Sequence, residues 1–327
     1  MTKNTADLAT LSIDLDNAWA YLRTAGHPGW VHYPSYLDTL VPRALSLLNQ
    51  HNLHITWFIV GQDAALEKNR AALASIVPAG HEVGNHSFHH QPWKKLECTA
   101  DATSELSLAD DAIARATGRK PRGYRAPGHA VSPAELEVIA SKGYDYDAST
   151  FPTFLGPAAR AYYFMITKLP REERARRATL FGRMSDVFQP LKPYLWQLTD
   201  STLLELPVTT MPLARTPIHF SYLLPLSARS PAAAKQYFRL ALSLCQRLGV
   251  TPSLLLHSLD FLGDSDLHGF NFFPGMQQSS RSKIAFISWA IEQVTGKFNV
   301  VPLGHFAKIL RSTAQSLPLR PVSALKP

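Results

Sequence analysis

A chain of 327 residues could hold two average domains, yet single α/β barrels of this length are ordinary, so length alone does not divide it. Its 46% hydrophobic and 18% charged residues exclude a disordered chain, and no uncharged apolar run reaches the roughly 18 residues that would span a bilayer. A net charge of +8 predicts an anionic partner, but no helix-turn-helix, zinc-finger spacing or RNP-like strand points to nucleic acid.

The opening segment, MTKNTADLATLSIDLD, carries no hydrophobic stretch long enough for a secretion signal. The two cysteines, Cys98 and Cys245, form no CxxC pair, and Cys245 sits among Leu240, Leu242, Leu244 and Leu248 as a small core residue. These features predict the cytoplasm.

Along the chain, short apolar runs alternate with segments of helical period, the pattern of repeated β-α units around parallel strands. Strands are predicted near 8–14, 54–60, 81–85, 122–125, 145–148, 202–208, 253–257 and 299–302. Helices are predicted near 35–50, 62–77, 100–117, 133–142, 232–248, 280–295 and 304–313. In 100–117, Leu106, Ala109, Ile113 and Ala116 fall on one face, with Thr99 as a cap and Gly118 as a stop. One domain is therefore expected over 1–313. Residues 152–200 break the rhythm and read as an insertion with helices around 157–168 and 171–188, and 314–327 as a flexible tail.

At the first strand end stand Asp14 and Asp16, two apart, so both side chains leave one face of the strand. The segment GHEVGNHSFHH then delivers His86 and His90, which meet on one face if the loop takes a helical turn; His81 and His89 compete as ligands. Two imidazoles and one carboxylate leave metal positions open for water and substrate, which is a catalytic rather than a structural arrangement. The remaining carboxylate is then free to act as general base. In GYRAPGHAVS, Arg125 sits at a strand end where its cation can pair with Asp14 and keep it ionised. In SLLLHSLDF, His257 sits at another strand end, where an imidazolium can protonate a leaving amine.

With these segments in order, the chain resembles the polysaccharide deacetylases of carbohydrate esterase family four, of NodB homology, over roughly 8–150 and 200–310. Its likeness is to the intracellular branch that includes peptidoglycan deacetylase-like and allantoinase-like members. IDLD resembles the motif whose first Asp is the base and second a ligand, which implies Asp14 as base and Asp16 as ligand. HSFHH resembles the H-[ST]-x-x-H metal motif, implying His86 and His90 as ligands with Ser87 bracing the loop. RAPG resembles the arginine motif that orients the base, and LLLH the motif carrying the acid, hence Arg125 and His257. GYDYDAS further implies Asp147 as support for the acid histidine, LLELPVTTMP places Glu205 and Pro207 in a strand motif, and His129 stands where an aromatic residue supplies an oxyanion-hole N–H.

The resemblance implies a distorted (β/α)7 barrel, a divalent metal such as Zn2+, and removal of an N-acetyl or other N-acyl group from an amino sugar; the lack of a secretion signal points to a cytosolic amino sugar, lipid-linked or part of a glycan precursor, rather than a mature wall polymer. Cyclic-amide or formamide hydrolysis on the same scaffold is the alternative chemistry, and a carbohydrate-binding barrel without turnover the alternative class. For the insertion two readings stand: a lid of aromatics over the barrel, or a basic strip carrying Arg174, Arg176 and Arg177 that rests on an anionic membrane at its inner face. Sugar, acyl group and oligomeric state are left open.

Overall fold

The computed structural model describes residues 7–94, 96–167, 169–178, 180–267, 269–270, 272–313 and 317–325. Ten strands form one sheet: β1 (Leu8–Leu15), β2 (Thr56–Ile59), β3 (Glu82–Asn85), β4 (Gly123–Tyr124), β5 (Tyr146–Asp147), β6 (Tyr194–Gln197), β7 (Thr202–Glu205), β8 (Ser253–His257), β9 (Asn299–Val301) and β10 (Leu319–Pro321). Their order is β10-β6-β7-β5-β4-β3-β2-β1-β8, with β9 beside the start of β1. Only β6 and β7 pair antiparallel. The other pairings are parallel, so β1–β5, β7 and β8 all end on one edge of the sheet. Between β7 and β8 no ladder forms among the described residues. The Thr209 N–H instead donates to the Ser253 carbonyl at 2.9 Å, and the Ser253 N–H donates to Thr209 Oγ1 at 2.8 Å.

All eight expected strands are present, because each is an apolar run bounded by polar or turn residues. β1 is buried along its whole length, as a parallel strand covered on both faces must be. Helices pack around it at Leu37–Gln50, Thr99–Thr117, Pro133–Ser141, Pro231–Leu248, Ser280–Thr295 and Leu303–Ser312. The 99–117 helix stops at Gly118, whose φ of 72° is left-handed, as its sequence implies, but the N-cap is Cys98, without a side-chain bond, rather than Thr99. No helix among the described residues is long and apolar enough to cross a membrane.

Several predicted elements differ from those observed, among them the helix expected over 171–188, which forms only at Arg171–Arg176 with a separate 3-10 turn at Met184–Phe188. The helix expected over 62–77 breaks into Gly61–Ala65 and Arg70–Ala74, because Asn69 turns its amide to the Asp63 carbonyl at 3.0 Å and ends the first turn. Helices at Ala18–Thr24 and Phe220–Arg229 were not foreseen. The first begins directly after the site acids, and the second carries Pro225 inside it. The insertion closes with β6, which joins the sheet. In the segment expected as a tail, residues 319–321 form β10 against β6, while 314–316 and 326–327 lie outside the described residues.

Glu135 offers a stability test. It occupies the third position of the helix Pro133–Ser141, where Ser132 Oγ accepts from its N–H at 3.0 Å and its carboxylate accepts from the Ser132 N–H at 3.3 Å. Tyr124 Oη also donates to it. Burial pushes this carboxyl up to about 8, against the opposing pull of the Tyr124 hydroxyl. The folded state thus holds a proton that the unfolded chain has released between the ordinary carboxylate pKa and about 8. Stability must therefore fall as pH rises through that window. Glu135→Gln, which cannot ionise, should lose this slope and exceed the wild type by roughly 3–5 kcal/mol above pH 8. Urea unfolding at several pH values measures the difference, and parallel curves for the two proteins would refute it.

Candidate metal and hydrolytic site

The parallel register assembles the site. Asp14 lies level with His257 across β1 and β8. Asn85, Tyr124, Asp147 and Glu205 form a neighbouring row across β3, β4, β5 and β7. His86 and Arg125 follow that row directly, so one sheet edge carries every charged group proposed from sequence.

The loop after β3 is bent rather than helical, which corrects the expected turn. Ser87 and His90 both take left-handed φ values, 59° and 47°. Such backbone is costly for side-chain-bearing residues and persists only when its surroundings hold it. Here Asn85 Oδ1 accepts from the Ser87 N–H at 2.8 Å and Ser87 Oγ accepts from the His90 N–H at 3.1 Å. Glu105 accepts from the Phe88 and His89 N–H groups at 3.0 and 2.6 Å. Ser87 does brace the loop, and Glu105, seventeen residues on from Phe88, does as much without any sequence signal.

Asp16, His86 and His90 come together with one donor atom each, all within 4.8 Å of one another and all buried, the one such cluster found among the described residues. Asp16 Oδ1 lies 2.8 Å from His90 Nε2 and 3.4 Å from His86 Nε2, yet makes no hydrogen bond. His86 Nδ1 sits 2.7 Å from the Arg125 carbonyl. Because a carbonyl only accepts, Nδ1 carries the hydrogen and Nε2 presents its lone pair to the cluster. Lone pairs converging in a buried site fit a divalent cation. The competing histidines are engaged elsewhere. His89 is exposed and paired with Glu105 at 2.6 Å, and His81 Nδ1 accepts from the Ile55 N–H at 3.1 Å.

Asp14 stands beside this cluster. Its Oδ1 accepts from Arg125 Nη1 at 2.7 Å, and its Oδ2 lies 3.9 Å from both His86 Nε2 and His257 Nε2. Arg125 is fully buried, stacks on Phe58 with its guanidinium carbon 4.2 Å from the ring centre, and donates to Ser12 Oγ and the Ala148 carbonyl, each at 2.9 Å. Burial would raise the Asp14 carboxyl, but Arg125, His86 and His257 together hold it lowered and ionised.

Two expected supports are placed differently. His257 is braced by Ser221 and Asp260 rather than by Asp147: its Nδ1 lies 3.0 Å from Ser221 Oγ, which donates to Asp260 Oδ1 at 3.0 Å, while Asp260 Oδ2 accepts from the His257 N–H at 2.7 Å. Asp147 accepts from Ser149 Oγ at 2.6 Å and lies against Glu205, which holds Trp196 Nε1 and the Thr150 N–H at 2.9 and 2.8 Å. This pair shapes the floor under the RAPG turn, where Ser149 Oγ accepts from the Ala126 N–H at 2.8 Å. The His129 N–H, expected in an oxyanion hole, donates to the Ala126 carbonyl at 3.0 Å, and its ring packs on Phe151.

The site opens into a cavity of about 580 Å3 whose walls include the insertion. The helix Gly156–Ile166 docks through Tyr163, whose hydroxyl donates to the Thr24 carbonyl. Arg177 is buried, 4.2 Å from the centre of the Trp93 ring, and pairs with Tyr163 Oη at 2.6 Å and Glu173 at 3.2 Å. Arg174 donates to the Leu169 and Phe164 carbonyls, and Arg176 pairs with Glu173 at 3.1 Å. All three arginines expected to form a basic strip therefore bind the insertion's own groups.

Residues 29–146 match the family model described as polysaccharide deacetylase. That span includes His86, His90 and Arg125 but neither Asp14, Asp16 nor His257. Among curated proteins, the chain is similar to a peptidoglycan deacetylase of Helicobacter pylori, 34% identical over 110 residues, which cover 33% of this chain and 36% of that protein. The chain thus spans about a third of that relative's length. Among solved structures it is similar to one assigned to the polysaccharide deacetylases from Mycobacterium smegmatis, with TM-score 0.62 and 19% identity over 96% of this chain and 95% of that one. An allantoinase is similar at TM-score 0.59 and 14% identity, over 95% and 93% of the two chains. Both structural likenesses concern the fold alone, a mixed α/β sheet that curls in the manner of a distorted barrel without a closing ladder among the described residues.

Proposed function

We propose that this chain, similar to the polysaccharide deacetylases over residues 29–146, is a metal-dependent hydrolase that removes an N-acyl group, acetyl in the simplest case, from an amino sugar. The observation that carries this reading is the division of labour at one sheet edge. Asp16, His86 and His90 converge as a donor set, while Asp14 and His257 face the same space without joining it.

A divalent cation held by Asp16, His86 and His90, Zn2+ by the nature of its donors, would supply Lewis acidity toward the acyl oxygen and a water acidic enough to react near neutrality. The protein's own groups then do the following. Asp14, ionised and fixed by Arg125, takes a proton from the attacking water as its oxygen bonds to the acyl carbon. As the carbon–nitrogen bond breaks, His257 gives a proton from Nε2 to the departing amine, oriented through Ser221 and Asp260. The products are a carboxylate and a free amino sugar.

The free thiols of Cys98 and Cys245 fit a reducing compartment, which supports a cytoplasmic address. The arginine pairings of the insertion favour a lid over a membrane-facing strip. Metal analysis of the purified protein, combined with acetate release from N-acetylated amino sugars, tests the function. Acetate formation that tracks metal content is expected. Formate or a ring-opened ureide as the product would move the chain to the alternative chemistry, and bound metal without hydrolysis of any N-acyl sugar would leave a binding barrel.

A further inference from the structure

The cavity above the metal donors is lined very differently from its floor. The floor is polar: Asp14, Asp16, His86, His90 and His257 open into it. The walls are mainly apolar, with Leu155, Ala159, Tyr162, Leu180 and Phe181 from the insertion and Phe151, Tyr222 and Phe272 among the side chains from the barrel. A space of about 580 Å3 is enough to surround a whole small molecule. Sugar rings carry polar groups at nearly every carbon, and burying each without a partner is costly. A hydrocarbon chain instead gains with every methylene buried in the same space.

The exposed side chains around the cavity point the same way. Tyr162, Phe181 and Tyr222 line the cavity and yet remain 47%, 38% and 40% exposed, so they stand at its mouth. Phe181 takes a left-handed φ of 67°, an uncommon backbone for an aromatic residue, and packs edge-on against the buried Tyr163. The same segment leaves Met165, Met184 and Phe188 exposed. Exposed large apolar groups thus accompany the segment that walls the cavity.

We propose that this cavity takes the hydrocarbon chain of an amphiphilic substrate, so that the amino sugar presented to the metal donors is attached to an aliphatic chain rather than to a polymer of sugars. The proposal rests on the N-deacylase reading. The chain can reach the cavity from either end of the substrate, as the long acyl group of the scissile amide or as a lipid on the sugar, and the test separates the two.

Two substrate series are assayed on the metal-loaded protein below their micellar concentrations. One runs from N-acetyl through N-hexanoyl to N-octanoyl glucosamine, the other from methyl through hexyl to octyl N-acetylglucosaminide. An increase in kcat/KM of about tenfold or more with chain length is expected in one series, fewer than four fully buried methylenes sufficing for it. The series that responds identifies the source of the chain. Independently of turnover, calorimetry on the protein as purified should show the eight-carbon member of the responding series binding at least tenfold more tightly than its shortest member. Ala159→Phe, which fills the wall, should reduce the long-to-short ratio in both turnover and binding, and Tyr162→Asp should do so from the mouth. Tight octyl binding with no hydrolysis of any compound would sustain the cavity assignment and remove the deacylase reading. Carboxylate release equal along both series, with the long and short members of each series binding alike, would sustain the deacylase and overturn the hydrocarbon site.

Discussion

Replacing His86 and His90 together with alanine should strip the protein of its metal and of its activity in one step. Each removes one of three donor atoms gathered within 4.8 Å, and a single carboxylate is a poor hold for a divalent ion in a buried site. The loss in metal affinity should exceed the roughly 10–100-fold that removal of an outer hydrogen-bond partner causes. Elemental analysis after gel filtration gives the stoichiometry directly. Thermal unfolding adds a second readout: ligand at about a hundred times its Kd stabilises the folded state by about 2.7 kcal/mol, so a chelator should lower the wild-type Tm and leave that of the double variant unmoved. His89→Ala is the control. Its imidazole is exposed and engaged with Glu105, so that variant should keep its metal. Stoichiometric metal in the double variant would show that the ion sits elsewhere.

The parts of the site legible from sequence are those whose chemistry is local to a strand end. Asp14 and Asp16 announce themselves as two acids closing an apolar run, and His86, Arg125 and His257 each follow another such run. A parallel sheet then brings these ends to one edge whatever the intervening loops do. What escaped are the groups that act across long separations. Ser221 reaches His257 from a helix 36 residues upstream, and Glu105 holds the metal loop from within the next helix; nothing in their own neighbourhoods marks them. Asp260 carried a faint signal, an acid three residues after a strand-end histidine. Asp147 was misassigned for a related reason: it shares the site edge, but its carboxylate turns to Ser149 and Glu205 instead of to His257. Among the elements, β6 escaped because only two of its four residues, Tyr194 and Trp196, are buried, and the oxyanion role expected of His129 met a backbone N–H already committed to its own turn.

Asp14→Asn should lower kcat by about 10²–10⁴-fold, the usual contribution of a general base, while the metal remains bound. The expectation follows from position. Asp14 Oδ1 is bound to Arg125 at 2.7 Å and its Oδ2 stays 3.9 Å from the nearest imidazole nitrogen of the donor set, so the cluster keeps its own carboxylate, Asp16, when Asp14 loses its charge. The substitution is nearly isosteric, but it leaves the fully buried Arg125 without its anion. Breaking a buried pair in this way destabilises a protein by about 3–5 kcal/mol, so the rate must be measured at a temperature where circular dichroism shows the variant folded. His257→Ala provides the matching arm: its imidazole is also outside the donor set, and its removal should lower kcat by a similar factor with metal retained. Loss of metal in Asp14→Asn would make Asp14 a ligand and leave the base unassigned. Undiminished turnover in either folded variant would take that residue out of the reaction. The two variants also separate roles by substrate, because an acylated leaving group that needs no protonation, such as the nitrophenolate of a 4-nitrophenyl ester, should rescue His257→Ala and leave Asp14→Asn as slow as before.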